Sequence, residues 1–190
     1  VALLKWQMIG VPPLIFNQTL RALRHAVQVD RPGAGPGSLT DEGLRYEVVV
    51  GSAVRQYAPA LWTWVQETGV ALASELADQP LSLYADVDAA VNINRLHGIG
   101  ERYELHVDSN PVTALWFLTT HEEGGELEVD GGIFKPVRGL FVVFEGSKLP
   151  HRVRPMVDMA PRITVPINLK PAGTSDIRPP GLDAHLFGGN

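Results

Sequence analysis

The stretch "RYELHVDSNPVTALWFLTT", residues 102–120, decides how the rest of the chain is read. Residues i and i+2 of a β-strand project from the same face. As a strand, this stretch sets Tyr103, Leu105 and Val107 on one face and His106 and Asp108 on the other. An imidazole beside a carboxylate is either half of a metal site or an ordinary solvated surface. The same alternation implies that Tyr103 joins the His106 face only if a bend or bulge turns it.

The neighbouring sequence keeps this β character. From residue 81 onward LSLYAD, AVNINRL, RYELHVD, VTALWFLTT, GELEVDG, GIFKPV, GLFVVFEG, HRVRPM and RITVPINL follow one another, separated by Gly, Pro, Asn and Asp. No helical stretch is expected between them, and many short strands at even spacing indicate a sandwich or barrel rather than a βαβ fold. Upstream, NQTLRALRHAVQ (17–28) reads as a helix capped by Asn17. RPGAGPGSLTDEG (31–43), with six Gly or Pro, reads as a mobile loop, and LRYEVVV (44–50) as a strand. Pro59 suits the first turn of a helix running to Ala77, with Leu61, Trp64, Val65, Thr68, Leu72 and Leu76 on one face. The last twenty residues hold seven Gly or Pro and read as a tail or lid. The expected fold class is α+β, a double-stranded β-helix (jelly roll) of about eight strands with two N-terminal helices packed on one sheet. One domain spans 1–190, with a helical part at about 1–80, the jelly-roll core at about 81–170 and the tail at 171–190.

Composition narrows the function. The 190 residues are 45% hydrophobic and 19% charged, as in a soluble globular protein. A net charge of −5 and the lack of any basic run argue against nucleic acid as a partner. The absence of cysteine excludes disulfides, zinc fingers and thiolate chemistry. The apolar opening VALLKWQMIGVPPLIF is interrupted by Lys5, Gln7 and Pro12–Pro13 and lacks the marks of a signal peptide, and no run reaches the length of a membrane span. A cytoplasmic chain without a membrane partner is expected, and oligomeric state is not legible.

A metal held by His106 and Asp108 needs a third ligand, and KLPHRVRPM offers His151. Two histidines and one carboxylate make the facial donor set of non-haem iron(II) centres, which leaves adjacent coordination positions open. Arg162 follows eleven residues after His151, with Thr164 on the same strand face. An arginine buried in a strand of Ile, Val and Pro needs an anionic partner, and its planar fork suits a carboxylate. A dicarboxylate chelating the metal at one end would supply that partner at the other.

These residues, in this order, carry a family likeness. From about Asn92 to Leu169 the chain resembles the Fe(II)/2-oxoglutarate-dependent oxygenases, in the prolyl-4-hydroxylase-like branch. The likeness rests on HVD, TALWFLT, GGELEV, PVRGLFVVFEGSKLPHRVRP and RIT. It implies that His106, Asp108 and His151 bind Fe(II), that Arg162 binds the distal carboxylate of 2-oxoglutarate with Thr164 as helper, and that Tyr103 lines the pocket. O2 is the other co-substrate. The implied reaction is oxidative decarboxylation to succinate and CO2 coupled to hydroxylation of an unactivated C–H bond. Asp108 argues against halogenation, because halogenating relatives carry a small residue there.

Where relatives carry co-substrate-binding tyrosines this chain has Leu96 and Phe117, which leaves Thr113, Asn94 or Tyr103 as replacements and weakens the case for a prolyl substrate. Trp116 faces either substrate or core, with core favoured. Arg152 and Arg154 point to an acidic substrate or to solvent. His25, His97, His121 and His185 are expected to be surface or capping groups, and His121–Glu122–Glu123 a solvated turn. Three functions stay open: hydroxylation of a small molecule such as an amino acid or natural-product intermediate, hydroxylation of a prolyl or other peptide side chain, and a non-catalytic jelly-roll binding module. The loop at 31–43 and the tail are the candidate lids.

Overall fold

The computed structural model describes residues 2–188. In chain order they form β1 (Leu4–Met8), α1 (Pro13–Ala22), β2 (Val27–Arg31), β3 (Leu44–Val49), α2 (Gly51–Tyr57), α3 (Pro59–Trp64), a π-helical turn (Val65–Gly69) and α4 (Val70–Ala77). There follow β4 (Leu81–Leu83), α5 (Val87–Ala90), β5 (Ile93–Leu96), β6 (Tyr103–His106), β7 (Val112–Phe117), β8 (Leu127–Val129), β9 (Gly132–Phe134), β10 (Leu140–Phe144), β11 (His151–Val153), β12 (Arg162–Pro171) and α6 (Leu182–Phe187).

All named strand pairs are antiparallel. The larger sheet runs β1-β10-β7-β12-β5-β3-β2, with β4 also on β12, and the smaller runs β6-β11-β8-β9. The central strands β7 and β10 of the larger sheet are buried on both faces, and their alternation sorts side chains into two layers. Val112, Ala114 and Trp116 of β7, Phe141 and Val143 of β10, and Ile163, Val165, Ile167 and Leu169 of β12 cluster with Ala22, Val54, Leu61, Val65 and Ala73 of the helices. The opposite faces point at the smaller sheet: Leu115, Phe117, Val142 and Phe144 pack with Leu127 and Val129 of β8. Along β12 the alternate residues Arg162, Thr164, Pro166 and Asn168 line a cavity between the sheets.

Several sequence expectations are corrected. The first helix lies at Pro13–Ala22 rather than 17–28, and Asn17 sits inside it instead of capping it. The fixed φ of Pro13 starts the helix. Val27 and Val29 extend as β2 because β3 lies alongside, with Val27 opposite Val48 and Val29 opposite Tyr46. The N-terminal part is not purely helical: β1 pairs with β10, and α2 precedes the long helix. Nor is the β run unbroken. The one-turn helix α5 interrupts it, started by the Asp86 carboxylate accepting from the Asp88 amide at 3.0 Å. The helix from Pro59 to Ala77 contains the π turn, whose extra residue rotates the face, so Thr68 is exposed and Gly69 buried. A Cβ at Gly69 would come within 3.0 Å of the Trp64 ring.

Trp64 in turn stacks on Trp116, ring centroids 4.0 Å apart. Trp116 is fully buried on the helix side of β7 and faces the core, not a substrate. Trp116→Ala should therefore lower stability by about 3–5 kcal/mol. The urea midpoint measures this, and the residual native protein should still bind whatever the opposite face of the sheet binds.

Candidate metal and co-substrate site

The site begins with an irregularity in strand pairing. On β11, His151 pairs with His106 of β6, but Val153 pairs with Tyr103, so β6 holds one residue more than its partner. That bulge turns Tyr103 onto the His106 face, where the two rings lie 4.7 Å apart. The condition set by simple alternation is thereby met. Asp108 lies two residues beyond the end of β6, and its amide donates to the Gly146 carbonyl at 2.9 Å.

His106, Asp108 and His151 each direct one ligand atom to a common point, all within 4.8 Å of one another; among the described residues no other His, Asp or Glu group does so. The Nε2 atoms of His106 and His151 each lie 3.3 Å from a different oxygen of Asp108. Each Nδ1 is hydrogen-bonded to a carbonyl, Glu104 at 2.7 Å for His106 and Leu149 at 2.8 Å for His151. A ring that donates from Nδ1 leaves Nε2 as a lone-pair ligand, the arrangement metal-binding histidines use. Burial opposes ionisation of Asp108, but the imidazoles of His151 and His106 outweigh it and hold the carboxyl well below its ordinary range. Burial likewise lowers His151, and the Asp108 charge more than offsets this, leaving it raised.

Arg162 sits deeper in the same cavity, 1% exposed. Its Nε donates to the Gly125 carbonyl at 2.6 Å and its Nη1 to the Thr164 hydroxyl at 3.3 Å, while Nη2 is buried without a partner. Burial pushes the guanidinium down to about 9, against a smaller opposing pull from Glu126. An orphaned cationic N–H in a cavity calls for an anion. Thr164 pairs with Asn94 on one side and Phe117 on the other, and Leu96 lies opposite Arg162. The Phe117 ring sits 5.1 Å from the Arg162 guanidinium carbon, so the two apolar replacements wall the arginine rather than hydrogen-bond to it. The donor set and the orphaned guanidinium thus fit a metal and a dicarboxylate.

Residues 91–170 match the family model of the 2OG-Fe(II) oxygenase superfamily. Over those residues the chain is similar to a 2OG-Fe(II) oxygenase domain. Enzymes of this superfamily use Fe(II), 2-oxoglutarate and O2. The fold is also that of HygX from Streptomyces hygroscopicus, solved with nickel, 2-oxoglutarate and hygromycin B: 12% identity, TM-score 0.67, covering 99% of this chain and 90% of that one. It is shared with the non-haem α-ketoglutarate-dependent carbocyclase SnoK from nogalamycin biosynthesis (15% identity, TM-score 0.69, 100% and 87% covered). A Pseudomonas putida prolyl-4-hydroxylase has it too (17% identity, TM-score 0.54, 91% and 95% covered). No curated protein matches this chain in sequence. No helix among its described residues is long and apolar enough to cross a membrane.

The cavity, about 100 Å³, gathers Tyr103, Asn94, Thr113, Arg162, Thr164 and Arg152 around the three ligands. Thr113, expected to bind co-substrate, instead donates to Asp108 Oδ2 and accepts from Asn110 Nδ2 at 2.7 Å, so it buttresses the carboxylate. Arg154 does not line the cavity. It is paired with Glu128 at 3.1 Å, and Arg152 with the same carboxylate at 3.0 Å. His121 is buried rather than superficial, within hydrogen-bond distance of the carbonyl of Ala160 at 2.7 Å.

The loop and tail were candidate lids, but the individual tail residues and two glycines were not singled out in the sequence. Arg178, Leu182, Leu186 and Phe187 wall one side of the cavity, and Pro36 of the loop another. The two segments meet at Glu104, which accepts from Ser38 and lies 2.7 Å from His185 Nε2. Residues 189–190 of the tail lie outside the described residues. Gly125, in the GGEL motif, has φ +67°, and a Cβ there would lie 2.7 Å from Arg162 Cδ and 2.8 Å from Met156 Sδ. At Gly146 a Cβ would lie 2.5 Å from Asp108 Oδ2 and 3.0 Å from Asp108 Cβ. Gly146→Ala should displace the carboxylate and weaken divalent-metal affinity by about 10–100-fold. Titration with Fe(II) or Mn(II) measures this, with far-UV circular dichroism unchanged.

Proposed function

We propose that this oxygenase hydroxylates an unactivated C–H bond of a small molecule, such as an amino acid or natural-product intermediate. The observation that carries the reading is one cavity holding both the His106–Asp108–His151 donor set and the unpartnered Nη2 of Arg162. Bound there, iron would activate O2, the oxidant, with 2-oxoglutarate oxidised to succinate and CO2, so that one oxygen atom ends in succinate and the other in the substrate.

The chain's own residues do the rest. His106 and His151 present Nε2 lone pairs, and the ionised Asp108 supplies charge, held in place by Thr113 and the Gly146 carbonyl. Arg162 grips the distal carboxylate of 2-oxoglutarate with Thr164 beside it. Burial together with Tyr46, Asp108 and Glu104 raises the Tyr103 phenol well above its ordinary value, so it stays protonated and able to donate. Asn94, whose Oδ1 is buried and unpartnered, faces the same space. The loop at 31–43 and the tail exclude water. We read residues 2–188 as one oxygenase domain with a double-stranded β-helix core, because β1, β2 and β3 extend the same sheet that β7 and β12 build. A small substrate is favoured over a peptide because loop and tail close over the cavity and are tied together at Glu104. HygX, which shares the fold, was solved with the small molecule hygromycin B.

Under anaerobic conditions, Fe(II) plus 2-oxoglutarate should give a weak visible charge-transfer band, and admission of oxygen should release succinate. Absence of both would overturn the oxygenase reading and leave a binding module. Asp108→Ala should abolish iron retention and turnover; undiminished activity would mean that the carboxylate ligand lies elsewhere. Arg162 carries a buried charge without an anion, so metal and 2-oxoglutarate, each at about 100 times its Kd, should each stabilise the fold by about 2.7 kcal/mol. Thermal unfolding measures the shift, and Arg162→Gln should abolish the part due to 2-oxoglutarate.

A further inference from the structure

Besides Arg162 and the Glu128-paired Arg152, the cavity is lined by a third arginine. Arg178 lies on the segment between β12 and α6 and lines the same space as Arg162. Its side chain is 16% exposed, and its Nη2 pairs with Asp183 of α6. The guanidinium carbon sits 5.9 Å from the centre of the Phe187 ring. Its Nε, however, is buried and has no partner.

One further donor is in the same condition. The Ser109 hydroxyl, next in sequence to Asp108 and lining the cavity, is buried and unpartnered. Ser109 and Arg178 both lie beside the Tyr84 hydroxyl, which is outside the cavity lining. The carboxylates around Arg178 are otherwise engaged. Asp176 pairs with Lys170 at 2.5 Å, Asp86 caps α5, and Asp183 meets only Nη2.

Buried polar groups are nearly always hydrogen-bonded, so an N–H and an O–H left unpaired in one cavity await a ligand rich in acceptors. A guanidinium edge with a hydroxyl near it suits a carboxylate. The distal carboxylate of 2-oxoglutarate has Arg162 on β12, whereas Arg178 belongs to another segment and sits by the residue that follows Asp108. We propose that Arg178, with Ser109, binds a carboxylate of the primary substrate, which makes that substrate a small organic acid, free amino acids included. This rests on the oxygenase reading above and deepens it. The tail thereby serves as the specificity element of the cavity.

The test uses the Fe(II)- and 2-oxoglutarate-loaded protein and a panel of free amino acids and aliphatic carboxylic acids, each beside its carboxamide. Binding is read as a shift of the anaerobic charge-transfer band and turnover as succinate release. At least one acid should shift the band, with its amide at least about 10-fold weaker. Arg178→Gln should raise the KM for that acid at least about 10-fold while leaving the KM for 2-oxoglutarate within about twofold, and Arg162→Gln should do the reverse. Asp183→Asn keeps the guanidinium but removes the ion pair to α6, and it should retain most of the affinity. Should Arg178→Gln unfold the protein, Arg178→Lys with Ser109→Ala provides the same comparison. The proposal is overturned if no acid shifts the band, if acid and amide act alike, if Arg178→Gln raises instead the KM for 2-oxoglutarate, or if Asp183→Asn matches its effect. Absence of the band without any added acid overturns the oxygenase reading itself.

Discussion

The register of β11 on β6 is the constraint on which the rest of the site depends. With His151 opposite His106, two imidazoles from residues forty-five apart lie with ring centroids 4.1 Å apart, and Asp108 needs only to turn back at the strand end to meet both. The bulge one step further along adds Tyr103 to the same face. A slip of one residue in this pairing would send the histidines to opposite faces and dissolve the site. The small sheet is short, so its register depends on the neighbouring packing. β8 pairs with β11 on the other edge, and Ser38 and Leu39 of the loop pair with the outer edge of β6.

The larger sheet meets the opposite demand of burying a cation. Arg162 and Thr164 occupy the cavity face of a strand whose other face is Ile163, Val165, Ile167 and Leu169. The helix layer and the Trp64–Trp116 stack hold that apolar face in place. The cost of desolvating the guanidinium is offset only in part, by the Gly125 carbonyl and the Thr164 hydroxyl. The GGEL motif gains a physical meaning here: a residue with positive φ turns its carbonyl to Arg162, and no side chain fits beside the arginine stem.

Much of this was legible in the sequence because the relevant information is local or periodic. The β runs after residue 81 announce their strands by length and alternation, and His106-x-Asp108, His151 and Arg162-x-Thr164 announce a donor set by type and order. What was misread depends on partners distant in the chain. Thr113 looked like a pocket hydroxyl, yet its partner is Asp108. Trp116, by contrast, was favoured for the core, and its parity puts it against the helices. Val27 and Val29 looked helical in a helical context, and only β3 alongside makes them a strand. The tail read as loose because Gly and Pro dominate it, but the few apolar residues it has, Leu182, Leu186 and Phe187, suffice to dock a short helix over the cavity.

By itself, then, the sequence determined the strand-rich core, the residue types of the candidate His-Asp-His donor set and its arginine, and the absence of thiol chemistry, since each follows from residue type and spacing. The tertiary structure alone decided that Tyr103 turns inward, that Gly146 leaves room for the Asp108 carboxylate, and that Arg178 reaches the cavity from the far end of the chain. Those outcomes depend on a bulge, a clearance and a docking contact. Such features arise between segments remote in sequence, and no local pattern encodes them.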